Sequence, residues 1–290
     1  MCDTIIILAG GASSRMKKET TAGHITQKDI AQANTRNKGL IEVGEEKLPF
    51  LHYLLYNIKQ AGHTNVFIVI GQNDQLFPAV YGRKKAQNEF NGLSISFVRQ
   101  YIPKDRDKPL GTADALFQAM EQYPELKASP FLVCNCDNLY SVKALLALNN
   151  PKYKNALLGY DSEGLHYEQE KIERFALMKL DAQNHLVSIL EKPRSSQVED
   201  YRDGQGKLRV SMNIFKFDGQ QIYPFLRDCP LHSERNEKEL PTALLNMVTD
   251  FQESVVVIPI CEHVIDLTSK EDIAIVNDHL KKEYPNGLQW

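Results

Sequence analysis

Two glycines, two serines and an arginine stand within six residues near the N-terminus: Gly10, Gly11, Ser13, Ser14 and Arg15. Glycine lets a backbone turn sharply and bring its N–H groups close to an anion. The hydroxyls add donors, and the guanidinium is a permanent bidentate phosphate binder. The set reads as a phosphate cradle or as a plain tight turn, and its position directly behind the apolar run "TIIIL" favours the cradle. It matches neither GxGxxG nor a P-loop, which ends in GK[ST]. Asp137 closes "FLVCNCD" and Asp266 closes "HVID", each an acid at the end of an apolar run. A carboxylate at the carboxyl edge of a parallel strand points into the crevice where α/β proteins bind ligands. Mg²⁺ takes one or two such carboxylates together with phosphate oxygens, although a turn or helix-capping aspartate is the plainer reading of Asp137. Lys38, next to Gly39 in "NKGL", reads by itself as a solvated surface charge. Glu191 and Lys192 in "EKP" read as an exposed ion pair before a proline stop.

The elements that must position these groups alternate through the first half. "TIIIL", "NVFIVIG", "LSISFVRQ" and "PFLVCNCD" read as strands, and 48–62 and "GTADALFQAMEQY" as helices. Near-continuous Val/Ile/Leu strands alternating with helices predict a largely parallel sheet covered on both faces. Cys134 and Cys136, two apart on one strand, face the same side and read as core packing. The second half is richer in strands: "NALLGY", "FALMKLD", "HLVSILEKP" and "LRVSMNIFKFD" predict an antiparallel addition or a small fused lobe. Helices are expected at 220–227 and 240–251, then the strands "SVVVIPI" and "HVIDL" and a closing helix from residue 269. The polar segment 17–37 lacks apolar periodicity and is expected to be a mobile loop.

Bulk properties exclude several classes. With 290 residues the chain can bury one large core or two modest ones. A formal net charge of -3 gives no global pull towards nucleic acid or a membrane surface. No run approaches the ~20 apolar residues of a membrane span, and the N-terminal apolar run lacks the basic flank of a signal peptide. Five scattered cysteines predict reduced thiols in a cytoplasmic protein.

In combination the motifs resemble the sugar-1-phosphate nucleotidyltransferases. "LAGGASSRM" is similar to that family's LAGGxGTRL loop, "NKGL" to its PK element, "PLGTADALFQA" to its GTA helix start and "CNCDN" to its strand-end GD element. "RFALMKLDAQNHLVSILEKP", "SMNIFKF", "EKELPTALLNM" and "HVIDLTSKEDI" follow in the family's order. The resemblance runs from residue 4 to about 281, nearly the whole chain. It implies a single Rossmann-like α/β domain over 1–290, a three-layer αβα mixed sheet of the nucleotidyltransferase or GT-A-like kind with a small antiparallel β addition. Residues 1–150 would form the nucleotide-binding half and 151–290 the sugar-phosphate-binding half.

The implied partners are a nucleoside triphosphate and a sugar 1-phosphate, the implied cofactor is Mg²⁺, and the implied assembly is a homo-oligomer. Leu8, Ala9, Gly10, Gly11, Ser13 and Ser14 would wrap the triphosphate, with Arg15 on the leaving pyrophosphate and Lys38 between the reacting phosphates. Gln100, Gly111 and Thr112 would meet the base and ribose. Asp137 and Asp266 would hold Mg²⁺, Glu191 and Asn213 would meet the sugar, and Lys192 its phosphate.

Departures from the family pattern are specific. SSRM stands for GTRL, as in the molybdenum-cofactor guanylyltransferases, Asn37 for proline, Ala176 for glycine and "TSK" for GTP. Arg15 and Lys38 are separated by 22 residues, which implies an inserted loop able to act as a lid. "CDN" resembles the GDN of thymidylyltransferases, while the base stays open among UTP, dTTP, CTP and GTP. Alternatives are a non-hexose acceptor, such as phosphocholine or a cofactor phosphate, and a non-catalytic nucleotide-sugar sensor. A sensor would be expected to have lost Arg15, Lys38 or a metal aspartate.

Overall fold

The first strand, β1 (Thr4–Leu8), has Ile5, Ile6 and Ile7 wholly buried, so both of its faces must be covered. A computed structural model describes residues 2–11, 13–18, 25–172, 175–191 and 193–290. Further strands are β2 (Glu42–Val43), β3 (Leu48–Pro49), β4 (Asn65–Gly71), β5 (Asn88–Phe90), β6 (Leu93–Gln100) and β7 (Pro130–Asn135). After these come β8 (Asn138–Leu139), β9 (Asn155–Asp161), β10 (Ala176–Leu180), β11 (Leu186–Leu190), β12 (Arg209–Ser211), β13 (Ile214–Asp218), β14 (Val255–Ile260) and β15 (Ile265–Asp266). The first helices are α1 (Gln27–Thr35), α2 (Phe50–Gln60), α3 (Leu76–Tyr81), α4 (Thr112–Gln122) and α5 (Val142–Leu148). The remainder are α6 (Gln169–Ile172), α7 (Ser195–Val198), α8 (Gly219–Arg227), α9 (Leu240–Asp250) and α10 (Asp272–Glu283).

Among the described residues, eleven strands make one mixed sheet in the order β11-β10-β12-β9-β13-β7-β1-β4-β6-β5, with β14 also pairing β9. The pairs β7–β1, β1–β4 and β4–β6 are parallel. Alternate residues of these strands face opposite sides. Ile5, Ile7, Leu132 and Cys134 join one apolar cluster with Phe50, Leu54 and Leu145. Ile6, Val133 and Phe131 join the other, with Leu116, Met120 and Leu244. Helices α2, α5 and α10 therefore cover one face and α4, α8 and α9 the other, giving three αβα layers. Cys136 joins the same cluster as Cys134, as their spacing predicts. All five cysteines are free, four of them buried.

Of the two readings of the second half, the antiparallel addition holds, while three other expectations need correction. The second-half strands are no separate lobe: β12 pairs β9 and β10, and β10 pairs β11, so they prolong the main sheet as its antiparallel end. Besides the main sheet, the antiparallel pairs β8–β15 and β2–β3 stand alone. "LRVSMNIFKFD" is not one strand. Asn213, at φ +56, separates β12 from β13, and only β13 continues to β7. The segment 17–37 is not simply a loop, because α1 occupies its second part. Thr26 caps that helix by accepting from the Asp29 N–H at 3.1 Å, and Gln32 and Ala33 are buried. Helix α1 is polar, so its pattern carries no apolar stripe. The closing helix begins at Asp272 rather than residue 269. Among the described residues, no helix is long and apolar enough to cross a membrane.

Candidate active site

The site is built on the carboxyl ends of β1, β6 and β7. The Cys136 N–H donates to the Leu8 carbonyl at 3.2 Å and the Ala9 N–H to the Val69 carbonyl at 2.8 Å, so the chain leaves the sheet only at Gly10. A Cβ on Gly10 would stand 2.8 Å from Gln100 Oε1, whereas Gly11 has open space around it. Ser13 takes φ +53 and starts a turn closed by Lys17 N–H to the Ser13 carbonyl at 3.2 Å and Lys18 N–H to the Arg15 carbonyl at 3.3 Å. Met16, wholly buried, pins that turn to the core and leaves Ser14 and Arg15 exposed.

Lys38 is no surface charge. It is 7% exposed, and its Nζ lies 2.7 Å from Asp137 Oδ2. Asn37 places it. The Asn37 amide donates to the Ala9 carbonyl at 2.6 Å, and its oxygen accepts from the Gly39 N–H at 3.1 Å, capping the 3-10 turn Lys38–Leu40. A proline at 37 would supply neither bond, so the departure from the family pattern is a working tie between the glycine elbow and the lysine. Gly39 lets the turn pack on Cys136, whose Cβ would lie 3.4 Å from an added Cβ.

Asp266 reaches the same place from the other end of the chain. β15 pairs β8 with Asp266 opposite Asn138, and the Leu267 N–H donates to the Asp137 carbonyl at 2.8 Å. Burial first, and the charge of Asp137 second, hold the Asp266 carboxyl above the ordinary aspartate range. A hydroxyl and two lysines oppose this without reversing it: Thr268 Oγ1 donates to Asp266 Oδ2 at 2.5 Å, Lys171 Nζ lies 3.5 Å away, and Lys38 adds its charge.

Gln100, at the end of β6, donates to the Gly111 carbonyl at 2.9 Å and to Asp114 Oδ2 at 3.2 Å. Gly111 sits at φ +120 so close to the Lys238 carbonyl that an added Cβ would come within 2.3 Å of it. Thr112 opens α4 and accepts the Leu240 N–H at 2.9 Å. The elbow residues, Lys38, Gln100 and Gly111 line one cavity of about 300 Å³. Glu191, Asn213 and Asp266 line a second, of about 1020 Å³. Leu8, Arg15, Thr112 and Asp137 belong to both, which puts the arginine and the aspartate at the junction. Ala9 lines the smaller cavity. Lys192 lies outside the described residues.

Three cations escaped the sequence reading. Arg235 bridges Glu191 Oε2 at 2.6 Å and Glu239 Oε1 at 2.5 Å. Lys171 lies within 3.5 Å of Asp266 and 3.4 Å of Asp272. Lys270, 3% exposed, lines the larger cavity. Arg235 and Lys171 occupy polar stretches without periodicity, where sequence offers no sign of where a charge will point. Lys270 sits in the "TSK" departure, which was the available signal.

A family model described as nucleotidyl transferase matches residues 4–258. The chain belongs to the nucleotidyl transferase family. This nucleotidyltransferase is therefore an enzyme, and the sensor reading falls away. Its fold is similar to that of a UDP-glucose pyrophosphorylase solved in complex with UDP-glucose, with a TM-score of 0.68. The match covers 98% of this chain and 100% of that one at 14% identity, a likeness of fold. For a nucleotidyltransferase the geometry is apt. Backbone donors and Arg15 face one cavity, a second opens beside it, and a lysine with two aspartates stands where they meet.

Proposed function

We propose that this nucleotidyltransferase moves a nucleotidyl group from a nucleoside triphosphate to a sugar 1-phosphate, releasing pyrophosphate and forming a nucleotide sugar. The observation that carries the reading is the junction: Asp137 lines both the cavity walled by the glycine elbow and the one walled by Glu191 and Asn213, and it holds Lys38 of the first cavity at 2.7 Å. The smaller cavity is lined, apart from Glu237, by residues no later than 137. That supports a nucleotide half over 1–150 and a sugar-phosphate half over 151–290. The UDP-glucose held by the structural neighbour points the same way.

Gly10, Gly11, Ser13, Ser14 and Arg15 cradle the triphosphate in this reading, with Leu8 and Ala9 as the floor. Gln100, Gly111 and Thr112 position the nucleoside, Glu191 and Asn213 the sugar, and Lys192 its phosphate. An oxygen of the sugar 1-phosphate attacks the α-phosphorus, the bond from that phosphorus to the bridging oxygen breaks, and the electron pair leaves with pyrophosphate. The attacking oxygen is already anionic at neutral pH, so no general base is needed. The work of the protein is alignment and neutralisation of gathered charge, which Arg15 and Lys38 supply.

Asp137 and Asp266 fit Mg²⁺. Their carboxylates are the hard oxygen donors it prefers, and a bound cation would offset the burial and the Asp137 charge that together raise Asp266. When bound, Mg²⁺ would supply further neutralisation of the phosphates. Free, mostly buried thiols fit a reducing cytoplasm.

The test crosses the common nucleoside triphosphates with a panel of sugar 1-phosphates and follows pyrophosphate. Release that requires one triphosphate together with one sugar phosphate, and that stops on chelation, is the expected result. Release only with phosphocholine or another non-sugar phosphate would move the acceptor to a different class, and no release with any acceptor would overturn the reading.

A further inference from the structure

Among the described residues five cations line the larger cavity, and two of them are already neutralised by carboxylates. Lys171 lies against Asp266 and Asp272, and Arg235 bridges Glu191 and Glu239. Among the described residues, Arg15, Lys18 and Lys270, which all line it, have no carboxylate partner. Lys270 is the exceptional one, because it is 3% exposed. Burying an ammonium is costly unless it is paired. Its Nζ makes one hydrogen bond, to the Lys18 carbonyl at 2.5 Å. A lysine has three N–H donors, and two of them have no partner among the described residues. The turn that carries it is fixed: the Thr268 and Ser269 N–H groups donate to Asp272 Oδ2 at 2.9 and 2.7 Å. The bond to Lys18 brings the ammonium to the end of the same turn that presents Arg15.

We propose that Lys270 is a phosphate-binding residue, which completes with Arg15 and Lys18 a three-cation cradle for the pyrophosphate end of the triphosphate. The inference rests on the function proposed above and adds to it where the leaving group is held. Lys171 and Arg235 are neutralised by protein carboxylates, so the unmatched positive charge of this cavity gathers around Arg15, which also lines the smaller cavity and so marks the junction where the leaving end of the triphosphate would sit.

The deciding comparison is calorimetric binding of inorganic pyrophosphate to the full-length wild-type chain, Lys270→Gln and Lys270→Arg. Glutamine keeps a donor for the Lys18 carbonyl and loses the charge. It should weaken pyrophosphate by about tenfold or more, with sugar 1-phosphate affinity unchanged, and arginine should retain most of the binding. Lys270→Met carries the same comparison if the amide is not tolerated in the fold. Pyrophosphate affinity equal to wild type in the uncharged variants would make Lys270 a structural strap and overturn the proposal. A wild-type chain that takes no pyrophosphate overturns it as well, while the transfer assay decides separately on the function.

Discussion

Lys38 and Asp137, 2.7 Å apart, balance charge beside Asp266, so changing any of the three should have two separable effects. If Lys38 neutralises the reacting phosphates as proposed, Lys38→Met should cut turnover by about 10²–10³-fold. It also leaves two carboxylates facing each other, so its melting temperature in chelator should fall, and added Mg²⁺ should restore the melting temperature without restoring turnover. Near-normal turnover in Lys38→Met would remove that residue from the chemistry. Asp266→Asn should behave in the opposite sense. Burial and the charge of Asp137 disfavour the charged carboxylate in the folded state, and the unfolded chain imposes neither cost. The amide should therefore stabilise the metal-free protein, by about 0.5–2 kcal/mol, while abolishing the stabilisation that Mg²⁺ at the proposed site would give the wild type by mass action. Paired melts with and without Mg²⁺ read both. The aspartates were legible in sequence because strand ends announce where an acid will point. The burial of Lys38 was not, since it comes from Asn37, Gly39 and Cys136 meeting across distant parts of the chain.

Two backbone positions decide whether the elements enclose the site. Gly111 holds φ +120 and lies against the Lys238 carbonyl, a contact that joins the start of α4 to the approach to α9. Gly111→Ala meets both the forbidden dihedral and the clash, so it should destabilise the protein by at least about 1–3 kcal/mol. It should also raise KM for the triphosphate more than KM for the sugar phosphate, as initial-rate kinetics on the soluble fraction would show. Asn213 sits at φ +56 between β12 and β13. Glycine there should leave stability nearly unchanged, whereas valine should cost about 1–2 kcal/mol, since asparagine tolerates the left-handed region and a β-branched residue does not. Equal melting temperatures for the two variants would contradict the kink. The core strands and α2, α4, α8 and α9 were readable from apolar runs and helical spacing. The break at Asn213 was not, because "LRVSMNIFKF" alternates well enough to pass for one strand and only the partners β10 and β7 reveal two registers. Helix α1 was missed for the complementary reason, because it is held by a cap and by polar contacts such as Gln32 to Glu42 rather than by an apolar face.

At the scale of the molecule, acid sensitivity comes from histidines whose burial disfavours the charged ring. His63 is 1% exposed, neither ring nitrogen has a partner among the described residues, and burial pushes it down to about 4 against a small opposing effect of Asp3. His52 and His263 are lowered to about 4 as well, again chiefly by burial. Such a group is neutral when folded and takes a proton when unfolded, so its stabilisation is complete above pH 6.5 and is lost as pH falls towards 4. The melting temperature should drop between pH 6.5 and 4.5, and the drop should be shallower in His63→Gln, where the slope rather than the absolute value is the readout. An unchanged slope would place the acid sensitivity elsewhere. Over the same scale the order of motifs along the chain conveyed the family, because β1, β7 and β15 bring their ends together whatever the loops between them do. The central claim is that the α-phosphorus is the atom attacked at the junction of the two cavities. The measurement that tests it most directly follows triphosphate labelled separately at the α- and γ-phosphates through one reaction with the accepted sugar 1-phosphate. Label from the α position should appear in the nucleotide sugar and label from the γ position in pyrophosphate; γ label in the sugar product or in inorganic phosphate would contradict the account.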